Sequence, residues 1–329
     1  MSRDMMPSFE LYQPDSLEGA VKLAKDLDAD GWLLAGGQDS YDWFKDRAKK
    51  PGALIDLNGI AALKGVRKTD EGLEIGALTS LHEIATHADV LEGYALLARA
   101  AARVASPQIR NAGTLGGNLC QDARCWYYRS GVDCYRAGGN TCYADTPQGQ
   151  NREHCLFGAA RCIAVSPSDC APAVVALEGS IVIASAAGER VVPAEEFFIG
   201  PSVDIRHMTV LKPGEIVTAV RLPKKWAGAK FYFEKVTDRA TWDFALVNVA
   251  SAMHVDGGTI RDARIVCGAV ECVPRRLKSV EQAVIGQPQN EETALIAGRI
   301  ASQGATPVQY NGYKIPLMEN LVRRAVRDS

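Results

Sequence analysis

Seven of the nine cysteines lie between Cys120 and Cys170, inside a stretch of the chain that has no hydrophobic period. Residues 111–168 are dominated by Gly, Asn, Asp, Cys and Tyr, and so long an irregular stretch inside a compact domain is usually functional or disordered. In a reducing compartment thiols stay free, so clustered cysteines favour metal binding over disulfides. The residues alone leave three possibilities open: an iron–sulfur cluster, a Zn(Cys)4 site, or unliganded buried thiols.

Composition narrows the classes of protein to which the chain can belong. The 329 residues are 47% hydrophobic, enough for two or three domains, and the formal net charge of -2 does not suit a nucleic-acid-binding surface. No apolar run approaches the roughly 20 residues that span a bilayer. Residues 1–10 lack the apolar core of a signal peptide. We therefore expect a soluble, cytoplasmic protein with no nucleic-acid and no membrane partner.

Regular secondary structure is predicted on both sides of the cysteine-rich stretch. Hydrophobic patterns predict helices over residues 12–27, 96–104 and 171–177, and strands over residues 32–35, 53–57, 73–76 and 180–185. Residues 223–229 mark a boundary between two domains. Beyond it, strands over residues 231–236, 245–254 and 264–269 and helices over residues 291–302 and 315–327 predict a compact α+β domain.

Two glycine loops could hold an anion, because backbone N–H groups can converge on a phosphate where no Cβ blocks its approach. The first loop is Leu33-Leu34-Ala35-Gly36-Gly37-Gln38-Asp39-Ser40. The second is Asn111-Ala112-Gly113-Thr114-Leu115-Gly116-Gly117-Asn118. Neither has the dinucleotide G-x-G-x-x-G or the P-loop pattern, and each alone could be an ordinary turn. Together they favour a cofactor that carries a diphosphate.

The order of these motifs gives a family resemblance. The two loops, residues 56–60 and 75–79, Ser168-Asp169, and residues 211–216 and 231–236 occur as in the FAD-binding subunits of the xanthine oxidase (molybdenum hydroxylase) family, which the chain resembles over nearly its whole length. The resemblance implies an α+β chain with a two-lobed α/β FAD-binding domain (PCMH-like) over residues 1–222, its lobes at about 1–60 and 61–222. It also implies a C-terminal CO-dehydrogenase-flavoprotein-like domain over residues 223–329, with a three-stranded sheet plus helices.

The resemblance also implies a set of FAD contacts, and no catalytic residue on this chain. The first loop would line the diphosphate, the second would complete the cradle, Asp169 would accept a hydrogen bond from a cofactor hydroxyl, and Leu211 and Lys235 would flank the isoalloxazine. The implied contacts are Leu33, Leu34, Ala35, Gly36, Gly37, Gln38, Asp39, Ser40, Val104, Ala105, Gly113, Thr114, Gly117, Asn118, Ser168, Asp169, Leu211 and Lys235.

The cysteines fall in an insert, about residues 120–165, between the second loop and Ser168-Asp169. The insert resembles that of the 4-hydroxybenzoyl-CoA reductase flavin subunit, which carries an additional [4Fe-4S] cluster, and is similar to that of bacterial aldehyde oxidoreductases. The matching positions imply four thiolate ligands, Cys125, Cys134, Cys142 and Cys162. Cys155 stays an alternative ligand, because it lies within reach of the same loop.

The resemblance implies an electron-transfer subunit that carries FAD and a [4Fe-4S] cluster. It would relay electrons between a carrier such as ferredoxin and two partner chains, a molybdopterin-binding large subunit and a [2Fe-2S] small subunit, in a heterotrimer. The sequence favours a 4-hydroxybenzoyl-CoA reductase-like enzyme of aromatic degradation. The alternatives are an aldehyde or N-heterocycle oxidoreductase of the same family, a self-contained flavin oxidase, and a zinc-stabilised, non-redox interaction subunit.

Overall fold

The computed structural model describes residues 6–329, and its first lobe is built on a small parallel sheet. The strand order is β1-β3-β2, and two helices accompany the sheet. The elements are β1 (Glu10–Tyr12), α1 (Leu17–Leu27), β2 (Gly31–Leu34), α2 (Ser40–Lys45) and β3 (Ala53–Asp56). The predicted helix over residues 12–27 begins too early, because Tyr12 pairs with Ile55 in β1 and Ser16 caps α1 by accepting from Gly19 N at 3.3 Å.

The second lobe is a five-stranded antiparallel sheet with helices packed against it. The strand order is β4-β5-β8-β6-β7, so strands distant in sequence lie side by side. Its core contains Ile75, Leu97, Val174 and Trp226, all fully buried. The elements are β4 (Val66–Thr69), β5 (Gly72–Gly76), α3 (Leu81–Thr86), α4 (Ala88–Gly93), α5 (Ala95–Ala102), α6 (Pro107–Ala112), α7 (Leu115–Leu119), α8 (Trp126–Arg129), α9 (Cys170–Ala176), β6 (Ser180–Ser185), β7 (Gly188–Pro193), α10 (Ala194–Phe197) and β8 (Ile216–Pro223).

The insert between α7 and α9 is nearly free of regular structure, as its composition predicts. Besides the four-residue α8 it contains only two 3-10 turns, Tyr135–Ala137 and Tyr143–Asp145. Its side chains are nevertheless ordered around buried contacts, since Tyr128, Arg136 and Cys155 are all buried. The insert is therefore a packed loop and adds no strand to the sheets of the described chain.

The C-terminal region is an antiparallel sheet covered by three helices. The elements are β9 (Lys230–Val236), β10 (Val247–Asp256), β11 (Thr259–Gly268), β12 (Arg275–Arg276), α11 (Lys278–Val284), α12 (Glu291–Ala301) and α13 (Lys314–Asp328). The three predicted strands are present, and the two-residue β12 adds a fourth at one edge, in the order β12-β11-β10-β9. Ala250 and Val266 belong to the core of the second lobe, whereas Val249 and Ile265 pack with the helices.

The predicted α+β class and the division into an α/β part and a C-terminal sheet-and-helix part are confirmed. Over residues 6–329, none of the helices is both long enough and apolar enough to cross a membrane.

Candidate cofactor-binding site

The two glycine loops touch each other. The first loop leaves β2 and enters α2, and the second leaves α6 and enters α7. A Cβ placed on Gly36 would lie 2.0 Å from the carbonyl oxygen of Ala112 and 2.9 Å from Cα of Gly113. Gly37 has a φ of +71°, in the left-handed region that side chains disfavour. Glycine is therefore required at both positions of the first loop, one for close approach and one for backbone conformation.

The second loop is held against the end of β5 by backbone hydrogen bonds. Gly116 N donates to Ala77 O at 2.8 Å, and Leu115 N donates to Thr79 O at 3.0 Å. Thr114 caps α7, because its Oγ1 accepts from Gly117 N at 3.1 Å. The hydroxyl oxygen of Thr114 therefore caps the start of α7, and this bond fixes the loop where it meets Gly36.

A cavity of about 410 Å³ opens where the two loops meet. Four of the predicted FAD residues line it, and so do several polar side chains that the sequence interpretation missed. One of these is Lys64, whose Nζ donates to Asn58 O at 2.7 Å, and Asn58 Nδ2 in turn donates to Ala35 O at 2.8 Å. The lining includes Leu34, Ala35, Gly36, Thr114, Asp56, Asn58, Lys64, Ser80 and Glu83. The lining thus combines the backbone of the first loop with one cation, Lys64, and two carboxylates, Asp56 and Glu83.

A second group of predicted residues lies between the FAD-binding region and the C-terminal sheet. Asp169 and Lys235 are both buried and form an ion pair of 2.5 Å. The second oxygen of Asp169 accepts from Asn248 Nδ2 at 3.0 Å, and Lys235 Nζ also donates to the carbonyls of Arg103 and Asp243. Burial raises the pKa of Asp169, and Lys235 opposes that rise. Both carboxylate oxygens thus have protein donors, and the predicted bond to a cofactor hydroxyl stays a prediction.

The remaining predicted FAD residues are divided between several places. Ala105 and Lys235 line a cavity of about 210 Å³. Asn118 and Ser168 bind each other, Ser168 Oγ donating to Asn118 Oδ1 at 2.7 Å. Val104 is buried, and Leu211 packs against the same core. The glycine loops thus contact each other, while Lys235, which was assigned to the isoalloxazine, lines a different cavity.

Four cysteines from separate parts of the insert line one cavity. They are the four predicted ligands, Cys125, Cys134, Cys142 and Cys162. All nine cysteines of the chain are free thiols. Cys155 is buried beside Ala144 and Ile163 and does not line this cavity. The four predicted ligands thus share a cavity, and Cys155, which does not line it, packs in a hydrophobic cluster that Cys125 and Cys142 also contact.

Backbone N–H groups point at two of these sulfurs. Burial raises the pKa of Cys125 to about 11 and also raises that of Cys142, but nearby N–H groups act in the opposite direction. Hydrogen bonds to a charged sulfur favour the thiolate, which is the form that binds metal. The donors are Tyr127 and Tyr128 for Cys125, and Ala144, Asp145 and Ile163 for Cys142.

His154 contacts one of the predicted ligands, with its Nε2 at 3.3 Å from Cys125 Sγ. Burial lowers the pKa of His154 to about 4, so its ring is neutral near pH 7. No local signal could have indicated this contact, because 29 residues separate the two. Within residues 6–329 there is no group of three or more His, Cys, Asp or Glu side chains arranged to hold a metal ion. The cluster ligands therefore stay a prediction.

A buried ionic network ties the insert to the first lobe. Arg136 donates to Asp122 Oδ1 through Nε at 3.0 Å and Nη2 at 2.8 Å, and Lys49 Nζ lies 3.3 Å from the other oxygen. Tyr128 OH donates to the same carboxylate at 3.0 Å. Burial would raise the pKa of Asp122, but Arg136 and Lys49 outweigh it and hold that pKa below its usual range. None of these residues was identified from sequence.

Comparison with known proteins agrees with this geometry. Residues 7–225 match the model described as the FAD binding domain in molybdopterin dehydrogenase, and residues 232–329 match the CO dehydrogenase flavoprotein C-terminal domain. The chain is 33% identical to the aldehyde oxidoreductase FAD-binding subunit of Escherichia coli (strain K12), over 90% of this chain and 91% of that one. It is 29% identical to the carbon monoxide dehydrogenase medium chain of Hydrogenophaga pseudoflava, over 97% and 96%.

Solved structures give the same result. A carbon monoxide dehydrogenase from Hydrogenophaga pseudoflava superimposes with a TM-score of 0.77 at 28% identity, covering 98% of this chain and 97% of that one. Quinoline 2-oxidoreductase from Pseudomonas putida 86 superimposes with a TM-score of 0.77 at 25% identity, with the same coverage. The chain therefore belongs to the family of FAD-binding medium subunits of the molybdenum hydroxylases, a family of multi-subunit oxidoreductases.

Proposed function

We propose that this chain is the electron-relay subunit of a molybdenum hydroxylase that oxidises an aldehyde or an N-heterocycle, and that it carries FAD and a [4Fe-4S] cluster. The observation that carries the FAD part is the contact between the two glycine loops at Gly36, beside a cavity with room for a polar ligand. When bound, FAD supplies one- and two-electron redox chemistry, while the protein supplies orientation and electrostatics.

For the cofactor, we propose roles for the residues of this chain according to their position. Backbone amides of Gly36 and Gly37 would bind the diphosphate, and Lys64 would balance its charge at the same cavity. The group of Asp169 and Lys235 would face the flavin side, with Asn248 holding the carboxylate in place. The other FAD contacts that the family resemblance implies keep the roles predicted for them.

For the cluster, four thiols from separate parts of the insert share one cavity with no disulfide between them. Soft thiolate sulfurs are the ligands that iron–sulfur clusters use. Zinc structural sites usually take their cysteines from C-x2-4-C pairs, and Cys134 and Cys142 are instead separated by seven residues. This spacing favours the cluster over a zinc-stabilised interaction subunit.

The choice of substrate branch follows the relatives. Those reported above are named for aldehyde, carbon monoxide and quinoline chemistry, and another is named nicotinate dehydrogenase FAD-subunit, from Eubacterium barkeri. The 4-hydroxybenzoyl-CoA reductase-like assignment, which the insert alone favoured, gains no support from them. We therefore place the aldehyde or N-heterocycle branch first and keep thioester reduction as the second candidate, because the thiol-lined cavity is common to both.

The partners follow from the same proposal. A molybdopterin-binding large subunit would perform the substrate chemistry, and a [2Fe-2S] small subunit would connect it to FAD. An external carrier such as ferredoxin would exchange electrons with this chain, and the complex would be cytoplasmic. Fractionation of cell extract followed by immunodetection of this chain would test the last point.

The test is an anaerobic purification of the complex from its native host through a tag on this chain. We expect co-purification of two further chains, one FAD per copy of this chain, and about four irons per copy beyond those of the small subunit, as the proposed cubane requires. Turnover of a panel of aldehydes and N-heterocycles should greatly exceed reduction of an aryl-CoA thioester. A colourless, zinc-containing chain would refute the redox assignment, and substrate turnover by this chain alone would refute the subunit role.

A further inference from the structure

Asp39 lies where a carboxylate is electrostatically unfavourable. It belongs to the first glycine loop, which the family resemblance assigns to the FAD diphosphate, and two anions at close range repel each other. Its side chain, however, is already bonded elsewhere. Oδ2 accepts from Trp43 Nε1 at 3.0 Å, and Oδ1 accepts from Arg124 Nη1 at 2.8 Å and from Arg129 Nη1 at 3.3 Å. The carboxylate is thus neutralised by two cations.

Both cations belong to the cysteine insert. Arg124 immediately precedes Cys125, and Arg129 ends α8, the helix that follows Cys125. The guanidinium of Arg124 also stacks on the ring of Phe244 at 4.1 Å, which brings the C-terminal region to the same point. The pair of Arg124 and Asp39 is partly shielded, with side chains 26% and 18% exposed, so screening by solvent is weaker than at an open surface.

Asp39 is held from two sides, by Trp43 of the first lobe and by Arg129 of the insert. The guanidinium of Arg129 lies 4.2 Å above the indole ring of Trp43, whose N–H donates to Asp39. Trp43 itself is fully buried in α2. The position of Asp39 is therefore set by the first lobe on one side and by the insert on the other, so a shift of either is transmitted to the carboxylate.

We infer that Asp39 is a positioning residue that fixes the cysteine insert against the first glycine loop, and that it couples FAD affinity to metal occupancy through its ion pair with Arg124. The inference rests on the proposed function, because it concerns both groups. Metal bound at Cys125 orders the adjoining Arg124, and Arg124 orders the loop that binds FAD. Coupling between two sites is reciprocal, so FAD must stabilise metal binding to the same extent.

The experiment is a double-mutant cycle on the purified complex, with Cys142→Ser to empty the thiol cavity and Asp39→Asn to break the ion pair. The dissociation constant of FAD is measured by fluorescence titration after removal of bound flavin, and iron is measured on the same samples. We expect Cys142→Ser to weaken FAD binding about tenfold in the wild-type background, in line with the loss of one charge-assisted contact. In the Asp39→Asn background the same change should weaken it less than twofold.

Three controls separate coupling from a general loss of stability. Asp42→Asn removes a carboxylate in α2 whose ion pair is with Arg129, at 3.5 Å, and not with Arg124, and it should leave FAD affinity unchanged. Asp39→Glu restores the charge and should recover most of the coupling. Chemical removal of iron should lower FAD affinity in wild type and not in Asp39→Asn. A variant that is merely less stable would instead show lowered FAD affinity with the response to Cys142→Ser intact.

The outcomes distinguish this inference from the function on which it rests. Additive effects of the two substitutions, with FAD and iron both present in wild type, would overturn the coupling and leave the proposed function standing. Wild-type protein that binds FAD and contains no iron would overturn the cluster, and the coupling with it.

Discussion

Adding a methyl group at Gly36 should force the two glycine loops apart. In Gly36→Ala the new Cβ would lie 2.0 Å from Ala112 O, 2.8 Å from Ala112 C and 2.9 Å from Gly113 Cα, all of them backbone atoms. Ordinary contact begins near 3.4 Å, so the loops must move apart by about 1.4 Å. Overpacking of a well-packed site typically costs about 1–3 kcal/mol. If that cost falls on the cradle, FAD affinity drops roughly 5- to 150-fold, since each 1.4 kcal/mol is a factor of ten.

The assay is titration of FAD into flavin-free protein, followed by fluorescence, with thermal unfolding of the same samples. Gly200→Ala is the matched control, because a Cβ at Gly200 would meet no atom within 4 Å. We expect it to keep wild-type affinity and unfolding temperature. Unchanged FAD affinity in Gly36→Ala, together with an unchanged unfolding temperature, would show that the loops are not in contact in solution and would remove the main support for the proposed cradle.

Cys142→Ser should abolish the iron signal while FAD stays bound, though more weakly. Cys155→Ser should keep both iron and FAD, because Cys155 does not line the cavity of the four thiols. Loss of iron in Cys155→Ser would contradict the proposed ligand set. Lys235→Met should destabilise the fold by about 3–5 kcal/mol in urea unfolding, because it leaves the buried carboxylate of Asp169 unpaired; a smaller loss in Lys235→Met with Asp169→Asn would confirm the cause. Burial lowers the pKa of Lys314 to about 7 from 10.5. The folded chain then binds fewer protons than the unfolded chain between these values, so stability should rise with pH across that window, and Lys314→Met should flatten the rise between pH 7 and pH 9.

Elements with a strong local pattern were predictable, and elements held by distant partners were not. Leu17–Leu27 and Glu291–Ala301 have clear helical periods, and both form; the second matches its predicted bounds to within one residue, and the first ends at the predicted residue but begins five residues later. Tyr12 was assigned to a helix, but it belongs to a strand because it pairs with Ile55. Ile216–Pro223, not predicted as a strand, lies between β5 and β6, and its pairing partners lie far away in sequence. Strand propensity depends on such neighbours, which one sequence does not reveal.

The site shows the same division between local and long-range information. Gly36 and Gly37 could be singled out because backbone geometry leaves few alternatives to glycine there. The partners of the side chains in these loops could not be predicted in the same way. Asp39 was assigned to the diphosphate along with its loop, whereas its carboxylate binds Arg124, 85 residues away. Motif matching assigns a role to a whole segment, and it does not distinguish a backbone that faces a ligand from a side chain that turns to a neighbouring loop.

The place of the insert explains how a long loop could be added to this fold without rebuilding its sheets. The chain leaves α7 at Leu119 and returns at Ser168, whose Oγ donates to Asn118 Oδ1 at 2.7 Å. The two ends of the insert therefore already meet, and the entropy of closing a loop grows only slowly with its length. A long loop inserted at this point therefore loses little more entropy on closing than a short one, and it leaves the sheets unchanged. It also keeps both ends of the insert beside the second glycine loop. Buried Arg136, bonded to Asp122 just after the exit point, then holds the far side of the insert back against the same place.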